Sequence, residues 1–166
     1  MELVTRVAPD PVLSTVAADV DPTDPALAQL ADAMVAMMRA SPGCVGIAAP
    51  QVGHAVRLFV LDVTGARRVR SCHGLVVLCQ PEVLASEGKE VRREGCLSVP
   101  DLTGDVARAT SITVTGLVPG TGERRTVEAD AFEARAFQHE LDHLDGLLFL
   151  DRVAGAHALF ARKTYL

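Results

Sequence analysis

FQHELDHLDG, at residues 137–146, contains the pattern His-Glu-x-x-His. Residues four apart lie on the same face of a helix, so His139 and His143 can direct two imidazoles at one metal ion. Glu140 stands next to them and can exchange protons with water at that metal. The stretch therefore predicts a metal-binding helix that also carries a proton-transfer group.

The sequence around this stretch supports a helix. Asp130 is a favourable N-cap, Glu133 follows at capping-box spacing, and Gly146 suits the position just after the last turn. Apolar residues flank the segment on two sides, at Phe132, Ala136, Ala134, Phe137, Leu141, Leu144 and Leu148. A helix that is apolar on two sides is typically buried, so we expect this one to be central to the fold.

Two histidines leave a third ligand to be identified. A common extension of the motif has a third His where this chain has Phe149, which cannot bind a metal, and no Glu follows Glu140. The remaining donors are Asp145, Asp151 and His157 downstream and the Cys96 thiolate upstream. The motif itself leaves these candidates open.

Composition limits the class of protein. The chain has 166 residues, enough for an adequate core, and we expect one domain over residues 1–166. Its formal net charge of −5 disfavours stable nucleic-acid binding and a membrane-surface role. The four cysteines include no C-x-x-C pair, and the N-terminus lacks a signal-peptide pattern, so we expect reduced thiols in a cytoplasmic protein.

Periodicity and turn residues predict an α+β fold. A helix is expected from Asp24-Pro25 to Ser41, because Asp24 suits the N-cap and Pro25 the first helical position. Strands are expected at residues 56–63, 75–79, 82–93, 111–117 and 124–127, and a short final helix at 153–163. Helix, strands and central helix in this order favour mostly antiparallel strands packed around the metal-binding helix.

Three separated segments carry a family resemblance: GIAAPQ at residues 46–51, EGCLS at 94–98 and QHELDH at 138–143. In order and content they resemble the peptide deformylase family, and the resemblance extends over the whole chain. It implies that Cys96, His139 and His143 are the metal ligands and that Glu140 is the general acid and base. It also implies that the Gln51 side chain and the Leu97 N–H donate to the oxyanion.

The resemblance further implies the substrate and the cofactor. Members remove the N-terminal formyl group of nascent formylmethionyl peptides, typically with Fe²⁺, in transient contact with the ribosome. One thiolate and two imidazoles also suit Zn²⁺, Ni²⁺ or Co²⁺, so the ligand types do not select the metal. The extended peptide is expected beside the backbone of Cys44, Val45, Gly46, Ile47 and Gly95.

Two positions depart from the family pattern. Cys44 stands where members usually have Gly, beside the pocket for the first side chain, and Thr103 stands where some members have an Arg that helps hold the peptide. These departures favour one alternative, a deformylase or amidohydrolase of a small formylated or acylated metabolite. A non-catalytic binding module that retains the fold is another alternative, and the presence of Glu140, Gln51 and all three ligands argues against it. A protease that uses Asp151 as third ligand is a further alternative.

Overall fold

Two antiparallel sheets and two helices make up the fold in a computed structural model, which describes residues 2–67, 69 and 71–163. The helices are α1 (Pro25–Ala40) and α2 (Ala131–Leu144). The strands are β1 (Gly46–Ala48), β2 (Leu58–Leu61), β3 (Val76–Glu87), β4 (Glu90–Cys96), β5 (Val99–Arg108), β6 (Ser111–Leu117), β7 (Arg124–Asp130) and β8 (Leu159–Ala161). The first sheet has the order β1-β2-β3-β6-β7 and the second the order β4-β5-β8. The predicted α+β class with antiparallel strands is confirmed.

Helix α2 packs against the five-stranded sheet and forms the main core with it. Phe137 meets Phe59 of β2 edge to face, with ring centroids 5.7 Å apart. Leu141 and Leu144 lie in the same buried cluster as side chains of β3, β6 and β7. Helix α1 closes a second cluster on the other side of β1 and β2. Burial of these apolar faces stabilises α2 at the centre of the molecule.

The two helices begin and end largely as their sequences predict. Asp24 accepts a hydrogen bond from the Ala26 N–H, and Pro25 is the first residue of α1. At the end of α2, the Gly146 N–H donates to the His143 carbonyl and the Leu147 N–H to the Asp142 carbonyl, with Gly146 at φ +73°. This is the Schellman arrangement, in which glycine adopts the left-handed conformation at low cost.

The predicted capping box at the start of α2 is wrong. The Asp130 side chain makes no capping hydrogen bond, although Asp130 is the residue before the helix. Glu133 is buried, and it accepts hydrogen bonds from the His73 N–H and ring Nδ1 at 2.9 and 2.8 Å. A tertiary contact therefore takes the carboxylate that the local pattern assigned to the helix terminus.

Two predicted elements are wrong and one strand is missing from the prediction. Residues 82–93 do not form one strand, because Gly88, at φ +71°, lies in a turn between β3 in one sheet and β4 in the other. Strand β5 was not predicted. Residues 153–163 are not a helix: a short 3-10 turn, Ala156–Ala158, leads into β8, which pairs with Leu102–Gly104 of β5. An isolated short helix is marginal in water, whereas pairing at the β5 edge satisfies the backbone.

No helix within the described residues is both long enough and apolar enough to pass through a membrane.

Candidate metal centre and active site

Three potential metal donors converge where the two sheets meet α2. His139 and His143 lie one turn apart on α2, with ring centroids 4.9 Å apart, and Cys96 ends β4. The Cys96 Sγ is 3.4 Å from the His143 Nε2, and one donor atom from each of the three residues lies within 4.8 Å of the others. The spacing and the thiolate–imidazole chemistry fit one divalent ion.

A tight turn presents Cys96 to the helix. Cys96 pairs with Val99, so Leu97 and Ser98 form the two-residue turn between β4 and β5. The N-terminal segment braces this region, because the Ala8 N–H donates to the Ser98 carbonyl and the Arg6 N–H to the Gln51 carbonyl. Two of the three sequence motifs are therefore tied together by a segment that sequence reasoning gave no role.

Glu94 orients His139 from behind. Its carboxylate accepts a hydrogen bond from the His139 Nδ1 at 3.0 Å, which leaves the Nε2 for a metal. Glu94 also accepts two hydrogen bonds from Arg108, at 2.9 and 3.0 Å, and one from Arg135 at 2.9 Å. Burial acts to raise the pKa of Glu94, but the hydrogen bonds from Arg108 and His139 outweigh it and lower the pKa to about 2. Glu94 is therefore a carboxylate throughout the physiological range.

Arg108 extends this buried network to the far end of α2. Its Nη1 donates to Asp142, which also accepts hydrogen bonds from Arg152 at 2.8 and 3.1 Å. Sequence reasoning missed Glu94 and Arg108 as functional residues. The available signal was strand alternation, because Glu94 precedes Cys96 by two residues and therefore shares its face of β4.

Glu140 lies against the backbone of β1. A Cβ added at Gly46 would come within 2.5 Å of the Glu140 Oε1, so the glycine makes room for the carboxylate. The Oε2 is buried and has no hydrogen-bond partner among the residues described. Burial raises the pKa of Glu140 to about 7. A carboxyl group with this pKa can accept and return a proton near neutrality.

The side-chain amide of Gln51 connects the segment at residues 46–51 with the segment at residues 94–98. Its Oε1 accepts a hydrogen bond from the Ala48 N–H at 3.0 Å, which directs the Nε2 into the site. The Nε2 donates to the Cys96 Sγ at 3.3 Å and to the Ser98 Oγ at 3.2 Å. The buried amide therefore offers its donor next to the donor cluster.

Gln51, Glu94, Cys96, His139 and Glu140 border a pocket of about 270 Å³. Its wall includes apolar groups from the loop before β1, the β4–β5 turn and the start of α2, namely Pro42, Cys44, Val45, Leu97, Phe132 and Ala136. Of the segment predicted to contact a peptide, Cys44, Val45, Gly46 and Gly95 line the pocket. Ile47 does not, because its side chain is 1% exposed and packs in the core with α1.

The Cys44 thiol points back to its own segment and donates to the Gly46 carbonyl at 3.2 Å. Burial raises the pKa of Cys44 to about 11, so the group is a neutral thiol. This favours a packing and hydrogen-bonding role over nucleophilic chemistry.

The other third-ligand candidates lie in different environments. Asp151 accepts a hydrogen bond from the Leu148 N–H at 2.8 Å, and Asp145 pairs with Arg57 at 2.8 Å. The donor cluster in the described part of the chain contains Cys96 and neither aspartate.

Known proteins resemble this chain in both sequence and structure. A family model described as polypeptide deformylase matches residues 4–158. A peptide deformylase of Halothermothrix orenii is 47% identical over 151 residues, which cover 91% of this chain and 93% of that protein.

Solved structures agree with this match. The crystal structure of peptide deformylase from Thermotoga maritima has a TM-score of 0.83 and 37% identity, covering 93% of this chain and 99% of that one. A Met-Ala-Ser-bound class I type b peptide deformylase from Acinetobacter baumannii has a TM-score of 0.84 and 36% identity, covering 92% and 99%.

Proposed function

Because this chain belongs to the peptide deformylase family, and is thus a hydrolase that removes the formyl group from nascent peptides, we propose that Cys96, His139 and His143 hold its metal. The observation that carries this assignment is the convergence of the three donors beside the buried Glu140 carboxylate. A bound metal supplies Lewis acidity, which lowers the pKa of water and polarises a carbonyl group. We propose Fe²⁺ as this metal on the basis of the family resemblance.

Glu140 is the proton-transfer group in this proposal. It takes a proton from the water that attacks the formyl carbon and gives it to the peptide nitrogen as the C–N bond breaks. The products are formate and a peptide with a free amino terminus. The position of Glu140 supports this role, because the carboxylate is fixed against Gly46 and its Oε2 is unpaired among the described residues.

Gln51 and Leu97 stabilise the negative charge on the formyl oxygen. The Gln51 Nε2 is aimed into the site by the Ala48 N–H. The Leu97 N–H belongs to the two-residue turn after Cys96, outside the paired residues of β4 and β5. Donors fixed before the reaction are effective because they need no reorganisation when charge develops.

The peptide binds as an extended strand between β1 and β4. Both strands lie at the edge of their sheets. The Val45 carbonyl accepts from the Asp62 N–H on the β2 side, so the backbone groups of Gly46, the next residue, face the opposite side. Gly46 and Gly95 then offer main-chain hydrogen bonds to the substrate, and the apolar wall near Cys44, Val45 and Phe132 receives the first side chain.

Residues 1–166 form one catalytic domain in this proposal, which acts in the cytoplasm with a transient ribosome contact. The nature of the substrate supports this location, since formylated nascent chains are made by ribosomes.

Formate release from formyl-Met-Ala-Ser, measured together with bound metal, tests the assignment. Glu140→Gln should keep the metal and lose about 10²–10⁴-fold in rate, because it loses general acid–base help but none of the ligands. Cys96→Ala should lose metal and activity, whereas Asp151→Ala should keep both. A metal-free Glu140→Gln protein, or equal metal content in Cys96→Ala and Asp151→Ala, would contradict the assignment.

A further inference from the structure

Strand β8 delivers an arginine to the pocket from the far end of the chain. The Arg162 N–H donates to the Asp101 carbonyl at 2.9 Å, which continues the pairing of β8 with β5. The side chain then reaches across to β4, where its Nη2 donates to the Cys96 carbonyl at 3.3 Å. Arg162 thus lines the same pocket as Gly95 and Leu97.

Gly95 makes room for this guanidinium group. A Cβ at Gly95 would collide with the Arg162 Nη2, and the Thr103 Cγ2 lies 3.5 Å from the same point. Thr103 pairs with Gly95 on one side and with Phe160 on the other, so these residues form one row across the sheet. The short side chain of Thr103 leaves the space above Gly95 to Arg162.

Two other arginines line the pocket, and their guanidinium groups bind acceptors of the protein itself. Arg135 binds Glu94 and the carbonyls of Val106 and Glu90. Arg93 pairs with Asp105 at 2.6 Å, and its guanidinium lies 3.6 Å from the Phe160 ring centroid.

The donors of Arg162 are mostly unused. A guanidinium has five N–H donors, and the Arg162 Nε is buried without a hydrogen-bond partner among the residues that the structure describes. None of the ion pairs within the same part of the chain includes Arg162. Because Arg162 also lines the pocket, its unused donors can meet an acceptor that a ligand brings.

The size of the pocket indicates which part of a substrate meets Arg162. A pocket of about 270 Å³ is smaller than the roughly 300–1,000 Å³ that is usual for drug-sized ligands. It suits the formylated first residue, while the following residues must leave over its rim. Gly95, with Arg162 against it, lines the pocket on β4, in the proposed path of the peptide.

We propose that Arg162 is a substrate-positioning residue that donates hydrogen bonds to main-chain carbonyl oxygens of the peptide beyond its first residue. This inference rests on the proposed function and deepens it. Such contacts hold longer peptides in register with the metal centre without reading their sequence, which suits an enzyme that acts on many nascent chains.

The test compares Arg162→Gln with Lys163→Gln, which removes the same charge from the exposed neighbouring residue. Formate release is measured with formyl-Met-Ala-Ser amide, with the free acid of the same peptide and with formyl-Met amide, which lacks the downstream residues. Arg162→Gln should raise KM for the longer substrate about tenfold, equivalent to about 1.4 kcal/mol, with kcat, bound metal and KM for formyl-Met amide unchanged. Arg162→Lys should give an intermediate KM, because it keeps the charge and loses the planar fork. Lys163→Gln should behave as wild type with both substrates.

Each other result decides against the proposal. Equal effects on the two substrates, or none, would show that Arg162 does not contact downstream residues. Loss of metal in both Arg162→Gln and Arg162→Lys would assign Arg162 to structural support of Cys96. A KM increase with the free acid of formyl-Met-Ala-Ser but not with its amide would assign it to a terminal carboxylate. If the wild type released no formate from either substrate, the proposed function itself would fail.

Discussion

The proposed metal centre has two sides, a back formed by the network behind His139 and a front that faces the pocket. The two sides differ in whether their buried polar groups have hydrogen-bond partners. At the back, Glu94, Arg108 and Asp142 form a buried network in which each charged group has at least one partner of opposite charge. At the front, the Glu140 Oε2 and the Arg162 Nε are buried without partners among the described residues, as is the Nδ1 of the proposed ligand His143. Buried polar groups are rarely left unpaired in a folded protein, so the unpaired atoms of Glu140 and Arg162, which both line the pocket, indicate groups that act on water or a substrate.

Substitutions on the two sides should therefore have different effects. A back residue acts by positioning a metal-binding side chain, so its replacement should lower metal affinity and the free energy of unfolding. A front residue acts on the substrate, so its loss should appear in turnover or in KM while the metal stays bound. Variants of single residues can break this division.

After Glu140, the largest effect in this comparison is expected at Gln51, on the front. Gln51→Ala should lower kcat by about 10²–10³-fold with little change in KM or bound metal, because one proposed donor to the oxyanion is lost. The measurement is steady-state formate release from formyl-Met-Ala-Ser. Ser98→Ala is the matched control, since it removes a partner of the Gln51 Nε2 and leaves the donor in place. A change in KM alone would make Gln51 a ground-state binding residue.

At the back, Glu94→Gln should weaken metal affinity by about 10–100-fold, because His139 loses the carboxylate that orients it and increases its basicity. The measurement is competition for the metal with a chelator of known affinity. Asp142→Asn is the control, because Asp142 is another buried carboxylate bound to Arg108 but has no hydrogen bond to His139 among the described residues. Both variants should lower the unfolding temperature, and only Glu94→Gln should lose metal. Equal loss from both would mean that the network acts on the metal as a whole.

The residues of the front could be predicted from the sequence more fully than those of the back. Most of the front comes from contiguous motifs, so the positions of Gln51, His139 and Glu140 follow from local spacing and a family resemblance. The Glu94–Arg108 contact depends on the pairing of β4 with β5, and β5 was not predicted. The position of Arg162 at the site could not be predicted either, because its segment was predicted as a helix and not as a strand paired with β5. Alternation within β4 places Glu94 on the same face as Cys96, but the residues that it meets on other strands depend on strand register, which neither segment alone contains.

The local rules also failed where a tertiary contact competed with them. Glu133 has the spacing of a capping box but binds His73, and residues 82–93 are predicted as one strand although the chain changes sheets at Gly88. In neither segment does the local sequence contain the distant partner that decides the structure. The α2 prediction succeeded because its apolar faces, its C-terminal glycine and its two histidines all agree.

The smallest effect is expected at Cys44, which lies on the front but whose thiol already has a partner. That thiol donates to the Gly46 carbonyl, and because burial raises the pKa of Cys44 to about 11 it stays a weak neutral donor. A carbonyl oxygen has two lone pairs, so Gly46 can accept from the thiol and from a peptide N–H at once. Cys44→Gly should therefore stay active and metal-loaded, with KM for formyl-Met-Ala-Ser within about threefold of wild type, roughly the worth of one weak hydrogen bond.

The space that the Cys44 side chain fills decides what else this variant does. Cys44 lines the pocket that we propose for the first side chain, so its removal should raise kcat/KM for formyl-Phe and formyl-Leu peptides relative to formyl-Met peptides. Cys44→Ser is the matched control, because it keeps a donor and nearly the same volume and should retain the wild-type preference. If a folded, metal-loaded Cys44→Gly were inactive, the thiol would have a chemical role, and a satisfied group on the front would matter as much as an unsatisfied one.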